Sequence, residues 1–122
     1  KPQVWNSTSA LSCAPGWDLA AHTPTSLHLF VLYAHLQSKP QFNLAENITA
    51  GQIIGKVGMS GNALAPHVHV EMRYAYSNDI VGSMAHYDVS ASEQEMFNYC
   101  RWRVSGWYRP LDPMILLSLP FN

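Results

Sequence analysis

The chain has 122 residues, of which 48% are apolar and only 12% charged, with a formal net charge of −1. This length and composition fit one globular domain with a moderate core. The sequence contains no basic cluster, which argues against nucleic acid as a partner. The longest apolar stretch, residues 27–36, includes two histidines and is too short to be a transmembrane segment.

Most of the chain is predicted to form β-strands. Branched and aromatic residues bounded by turn residues indicate strands at 17–21, 27–36, 51–58 and 67–74. Turn-forming residues at 22–26 join the first two strands as a hairpin. The strand at 27–36 is apolar on both faces, which is typical of a strand covered on both sides. The sequence therefore predicts a mostly-β domain built on an antiparallel sheet.

One short helix interrupts this pattern near the C-terminus. Apolar groups have helical spacing from Ser92 to about Tyr99, and either Ser90 or Ser92 is the expected N-cap. Glu95 stands three residues after Ser92, the spacing of a capping box. We therefore expect residues 75–106 to be an insertion that contains this helix.

His67 and His69 are the first candidates for chemistry. Residues two apart on a strand point to the same face, so these two imidazoles would project side by side. Two such imidazoles on a rigid strand are a common beginning of a zinc site. The alternative is a pair of half-exposed histidines at a strand edge.

Several further segments share their order and glycine placement with a known family. They are Tyr33-Ala34-His35-Leu36, Gly51-Gln52-Ile53-Ile54-Gly55, Val57-Gly58, Ser60-Gly61-Asn62-Ala63, Pro66-His67-Val68-His69-Val70-Glu71, and the closing Pro110-Leu111-Asp112-Pro113. Together they resemble the lysostaphin-type (LytM-like) zinc metalloendopeptidases. The resemblance covers residues 17–74, the expected core, and the Asp-Pro turn in the closing residues 107–122.

The resemblance implies an antiparallel β-sheet domain of the duplicated-hybrid-motif type that holds one zinc ion. Such domains lie outside the cytoplasm and hydrolyse peptide bonds in bacterial peptidoglycan with a zinc-activated water. The resemblance makes His69 a zinc ligand. It assigns the general-base and intermediate-stabilising roles to His35 and His67. Glu71 is a candidate for orienting a ring N–H, and the alternative is an exposed strand carboxylate.

The chain departs from the family pattern at one point, the upstream His-x-x-x-Asp element that supplies two zinc ligands. Residues 15–21 are similar to part of that element, but its His position is Ala14. We interpret the similarity as a coincidence, because the predicted hairpin accounts better for residues 17–36. Asp18 and His22 are a weak alternative pair of ligands. We therefore expect residues 1–122 to be a single, N-terminally truncated peptidase domain. The alternative is an inactive LytM-like module that binds cell wall or activates a partner amidase.

The two cysteines leave two possibilities open. Cys13 and Cys100 could form one disulfide, or they could be two free buried thiols, because spacing alone does not decide between them. A bridge would also suit a third interpretation that ignores the resemblance, a small secreted β-domain.

Overall fold

The structure is a computed structural model that describes residue 13 and residues 26–77, 79–86 and 90–118. The strand predicted at 17–21 and the turn that follows it, up to residue 25, lie outside the described residues. The prediction of a single domain is not tested and stays a prediction.

Within the described residues, three strands form a sheet, in the order β1 (His28–Ala34), β2 (His69–Ala75) and β3 (Arg109–Leu111). β2 and β3 are antiparallel, with Met72 opposite Leu111. This confirms the predicted mostly-β fold with an antiparallel sheet. The predicted strands cover all of β1 and all of β2 except Ala75. In β3, Pro110 and Leu111 belong to the segment that was predicted to form a turn.

The strand predicted at residues 51–58 does not form. Only Val57 and Gly58 make isolated β-bridges there, to Leu36 and His67. Glycine weakens strands because it has no side chain to pack and loses the most conformational freedom. Gly51 and Gly55 are therefore unfavourable for a continuous strand over this segment.

Two helices are present among the described residues, α1 (Glu93–Arg103) and α2 (Pro113–Leu117). Ser92 is the N-cap of α1, and its capping box with Glu95 is complete, which confirms the predicted helix start. The predicted Asp-Pro turn is the beginning of α2, because proline suits a first helical turn where its missing N–H is not needed. Neither helix has the length and apolarity needed to cross a membrane.

The chain divides into two compact units. The histidine unit is Leu32–Val70, and the aromatic unit is Lys1–Val31 with Glu71–Asn122. The buried residues of the described chain all belong to the aromatic unit: Ala75, Ser77, Asn98, Cys100, Trp102 and Tyr108.

The core of the aromatic unit is a cluster of three rings. Phe30 packs edge-on against Trp102 and Tyr108, with ring centroids 6.4 Å and 5.2 Å apart. The other face of β1 is open, because Leu29 and Val31 are about half exposed. The prediction that this strand is covered on both sides is therefore wrong.

A disulfide joins Cys13 to Cys100, with the two Cα atoms 5.7 Å apart. Cys100 lies on α1 and is 1% exposed. Of the two possibilities that the sequence left open, the structure contains the bridge. It ties residue 13 to the helix of the predicted insertion.

Candidate functional site

Three histidines of the histidine unit lie close together. The ring centroid of His35 is 4.7 Å from that of His67 and 6.0 Å from that of His69. The structure therefore brings together all three imidazoles that the sequence singled out. Their individual roles stay predictions, because position alone does not assign chemistry.

The backbone around His35 explains how it reaches the other two. β1 ends at Ala34, and His35 has a φ of 63°, a left-handed conformation that is uncommon for residues with a Cβ. The chain then pairs with a distant segment, since the Gln37 N–H donates to the carbonyl oxygen of Lys56 at 2.9 Å. Gln37 thereby lies next to Gly58, where the loop begins.

Gly58 is required by a close backbone approach. A Cβ at this position would lie 2.4 Å from both the Cα and the nitrogen of Gln37, which is closer than non-bonded atoms approach one another. Gly58 also accepts a hydrogen bond at 3.1 Å from the backbone N–H of His67. Gly58 thus leaves room for the backbone of Gln37 and also forms a hydrogen bond with the backbone of His67.

His67 does not belong to the strand that was predicted to carry it. It lies in the isolated bridge to Gly58, and β2 begins only at His69. The prediction that β2 starts at residue 67 is therefore wrong by two residues. The two imidazoles nevertheless both lie beside His35.

Both His35 and His67 are held by backbone carbonyls of one segment, residues 58–66, which we call the carbonyl loop. The Nδ1 atom of His35 lies 2.8 Å from the carbonyl oxygen of Ser60. The Nδ1 atom of His67 lies 2.8 Å from the carbonyl oxygen of Ala65. A carbonyl oxygen can only accept, so each Nδ1 carries a proton and donates it.

These two carbonyls were missed in the sequence, because a main-chain oxygen has no residue type to mark it. The one signal in the sequence is the glycines of the loop, because glycine readily adopts a positive φ. Gly61 does have a positive φ, of 70°. His35 is half-buried and His67 is exposed.

Glu71 lies on β2 within the aromatic unit. Its carboxylate accepts hydrogen bonds from Trp102 Nε1 at 2.9 Å and from Arg73 Nε at 3.2 Å, and it also pairs with the Arg103 guanidinium. The Glu71 side chain is only 13% exposed, so the alternative of an exposed strand carboxylate is wrong. Its proposed role in orienting a ring N–H is not tested by these contacts.

Zinc is the metal that the resemblance implies, and imidazole nitrogens are ordinary zinc ligands. Within the described part of the chain, however, no group of three or more His, Cys, Asp or Glu residues could hold a metal ion. His69 is the one ligand that the resemblance assigns there. Asp18 and His22, the weak alternative ligands, lie outside the described residues. The described residues therefore do not complete a zinc site by themselves.

The sequence match to a family agrees with this site. The model for Peptidase family M23 matches residues 16–85, which include β1, the carbonyl loop and all three histidines. The chain belongs to Peptidase family M23 and contains a peptidase-type domain. No solved structure gives a significant match to the chain.

Proposed function

We propose that the chain is a zinc metalloendopeptidase domain that hydrolyses peptide bonds in bacterial cell-wall peptidoglycan. The observation that carries the proposal is the pair of imidazoles at His35 and His67, 4.7 Å apart and accessible, within a match to Peptidase family M23. Two neighbouring rings that each have one nitrogen occupied by a carbonyl leave two nitrogens available for proton transfer.

His35 and His67 would act as the proton carriers of the reaction. An imidazole nitrogen with a free lone pair can take a proton from an attacking water and then return it to the leaving amine. Since Nδ1 of each ring donates to a backbone carbonyl, the proton would move at Nε2. The two ring centroids lie 4.7 Å apart, so a ring that has taken up a proton at Nε2 can donate it while the other ring, unprotonated at Nε2, accepts one.

His69 would be a zinc ligand, with the remaining ligands supplied from outside the described residues. When bound, zinc supplies Lewis acidity, which activates water and polarises the scissile carbonyl. The fit is partial, because imidazole is a suitable donor but the described residues supply no complete set of ligands.

An extracytoplasmic location is part of the proposal. The Cys13–Cys100 bridge supports it, because disulfides persist in oxidising compartments and are rare in the cytosol. Peptidoglycan, the substrate proposed here, is found in the same kind of compartment.

The test compares three alanine variants, His35→Ala, His67→Ala and His69→Ala, with a control. For each purified protein, zinc content is measured after dialysis, and amine release is measured with peptidoglycan as substrate. We expect His69→Ala to lose zinc and activity together. His35→Ala and His67→Ala should keep zinc but lose about 10²–10⁴-fold in kcat, the usual contribution of a general acid or base.

The control is His28→Ala, which removes an exposed histidine of β1. Its Nε2 forms a 2.7 Å hydrogen bond with Ser26 Oγ. Zinc content and activity should match those of the unsubstituted protein. The proposal is wrong if the zinc-loaded protein releases no amine, or if His67→Ala hydrolyses peptidoglycan at the original rate.

A second function is favoured by one observation, the absence of a complete ligand group among the described residues. In that case the domain would be an inactive LytM-like module that binds cell wall or activates a partner amidase. Co-sedimentation with peptidoglycan by protein that contains no zinc and releases no amine would support this function. Stimulation of an added amidase would then separate the activator from the simple binder.

A further inference from the structure

The peptide group between Ser60 and Gly61 carries the carbonyl oxygen that holds His35. We propose that this peptide is a positioning group that fixes His35 in the tautomer with the proton on Nδ1, and that Gly61 is the residue that makes this possible. The catalytic consequence rests on the proposed function, whereas the tautomer itself does not.

The tautomer of His35 follows from the hydrogen bond at its ring. A neutral imidazole has one protonated nitrogen and one nitrogen with a free lone pair, and the hydrogen bond at one nitrogen decides which is which. The 2.8 Å contact from Nδ1 to the Ser60 carbonyl requires the proton on Nδ1. The lone pair is then on Nε2, the nitrogen that would act as the base.

The backbone of His35 is held as well as its ring. His35 has a left-handed φ of 63°, a conformation that costs about 1–3 kcal/mol in residues other than glycine unless the surroundings impose it. The pairing of Gln37 with Lys56 fixes the chain just after His35. Since both the backbone and Nδ1 are held, the ring has little freedom to exchange its two nitrogens.

Gly61 influences the direction of the Ser60 carbonyl. The direction of the Ser60 carbonyl depends on the ψ angle of Ser60 and the φ angle of Gly61. Gly61 has a positive φ of 70°. An alanine in that conformation costs about 1–2 kcal/mol. Space is not the obstacle, because a Cβ at Gly61 would meet only Nδ1 of His35, at an ordinary 4.0 Å. Replacing Gly61 should therefore turn the carbonyl rather than push the ring away.

The chain offers a matched control at Gly51. It lies in the same histidine unit and has a φ of 80°, and a Cβ there would meet nothing within 4 Å. Gly51→Ala thus imposes a similar backbone penalty without changing the Ser60 carbonyl. Asparagine tolerates left-handed conformations better than alanine, so Gly61→Asn is the conservative variant.

The test is nitrogen NMR of the histidine rings above their pKa, in protein labelled with ¹⁵N-histidine and assigned with His35→Ala. We expect His35 to show a protonated Nδ1 and an unprotonated Nε2. Gly61→Ala should shift both His35 nitrogens towards the values of a ring that exchanges tautomers. Gly61→Asn should restore the original signals, and Gly51→Ala should leave them unchanged.

Two results would overturn the proposal: a proton on Nε2 of His35 in the unsubstituted protein, or the same His35 spectrum in Gly61→Ala as in Gly51→Ala. If Gly61→Ala does not fold, the spectra of the unsubstituted protein and of Gly61→Asn still show which nitrogen of His35 carries the proton. His28 is an internal comparison, because its partner is the hydroxyl of Ser26, which can donate or accept and so does not fix a tautomer.

Kinetics connect the tautomer to the reaction. We expect Gly61→Ala to lower kcat by about 10-fold to 100-fold with KM unchanged, a part of the 10²–10⁴-fold that an acid–base group supplies. Gly51→Ala should keep both constants. If the unsubstituted protein hydrolyses nothing, the proposed function fails while the spectra still test the tautomer.

Discussion

The histidine unit and the aromatic unit of this protein are built in different ways. The histidine unit holds the candidate reaction centre, yet none of residues 32–70, all of which the structure describes, is buried. It is organised by backbone hydrogen bonds, isolated bridges and glycines. The aromatic unit contains every buried residue of the described chain, together with the disulfide and the capped helix.

The difference suggests that stability and chemistry depend on separate parts of the chain. Burial of apolar surface is the main favourable term in folding, so the aromatic unit should supply most of the free energy of unfolding. The histidines need access to water and substrate, which burial would prevent. Substitutions in the two units should therefore differ in which property they change.

The largest effect on stability should come from Trp102→Ala, which removes the 3% exposed ring that packs against Phe30 and Tyr108. We expect the free energy of unfolding to fall by about 3–5 kcal/mol, as measured by urea denaturation. Leu64→Ala, at a side chain of the histidine unit that is 98% exposed, should change it by less than about 0.5 kcal/mol. Equal losses in the two variants would contradict the comparison.

Breaking the Cys13–Cys100 disulfide should have the next largest effect. It closes a loop with a sequence separation of 87, and such bridges stabilise by about 2–4 kcal/mol, chiefly by restricting the unfolded chain. Cys13→Ser/Cys100→Ser should lower the urea midpoint by a corresponding amount. Adding reductant should lower the midpoint of the original protein but not that of the double variant. A midpoint that does not respond to reductant would show that the bridge contributes nothing.

Gly58→Ala tests the backbone contact that organises the histidine unit. A Cβ would lie 2.4 Å from backbone atoms of Gln37, so the chain has to move, at a cost of about 1–3 kcal/mol. Catalytic activity should fall as well, because Gly58 also bonds His67. Gly55→Ala is the control, since its Cβ would meet only the movable side chain of Leu36 at 3.1 Å. An equal effect at Gly55 would argue against the close approach.

Ser92→Ala should lower the free energy of unfolding by about 1 kcal/mol. Ser92 accepts from the Glu95 backbone N–H and completes the capping box of α1. Ser90→Ala, at the other N-cap candidate, should have a smaller effect. Thermal denaturation of the two variants measures the difference, and the cap assignment is wrong if Ser90→Ala costs more.

The smallest effect should be a pH dependence due to His86. Burial lowers the pKa of this histidine below its ordinary value of 6.5, so the unfolded chain binds a proton more readily than the folded one. The contribution of His86 to stability is therefore complete above pH 6.5 and is lost as the pH falls through the folded pKa. His86→Phe can keep the ring that stacks on Tyr99 and should weaken this acid destabilisation. An unchanged pH profile of the thermal midpoint would contradict the assignment.

The sequence predicted the local features of the fold well where a few neighbouring residues decide them. The start of α1 followed from Ser92 and Glu95, because a capping box is a contact between residues three apart. The strand predicted at 51–58 is wrong, because its branched residues favour a strand while its glycines weaken one. Pro113 was read as part of a turn, although proline is equally suited to begin a helix.

The sequence by itself determined the family, the mostly-β fold and the three histidines, because these depend on residue types and their order along the chain. Only the tertiary structure decided that Cys13 bonds Cys100, that Glu71 is enclosed by Trp102 and two arginines, and that carbonyls of one loop hold His35 and His67. The physical reason is that most of these contacts join residues far apart in sequence. The contact between His67 and Ala65 is local, but it is made by a backbone oxygen that every residue shares.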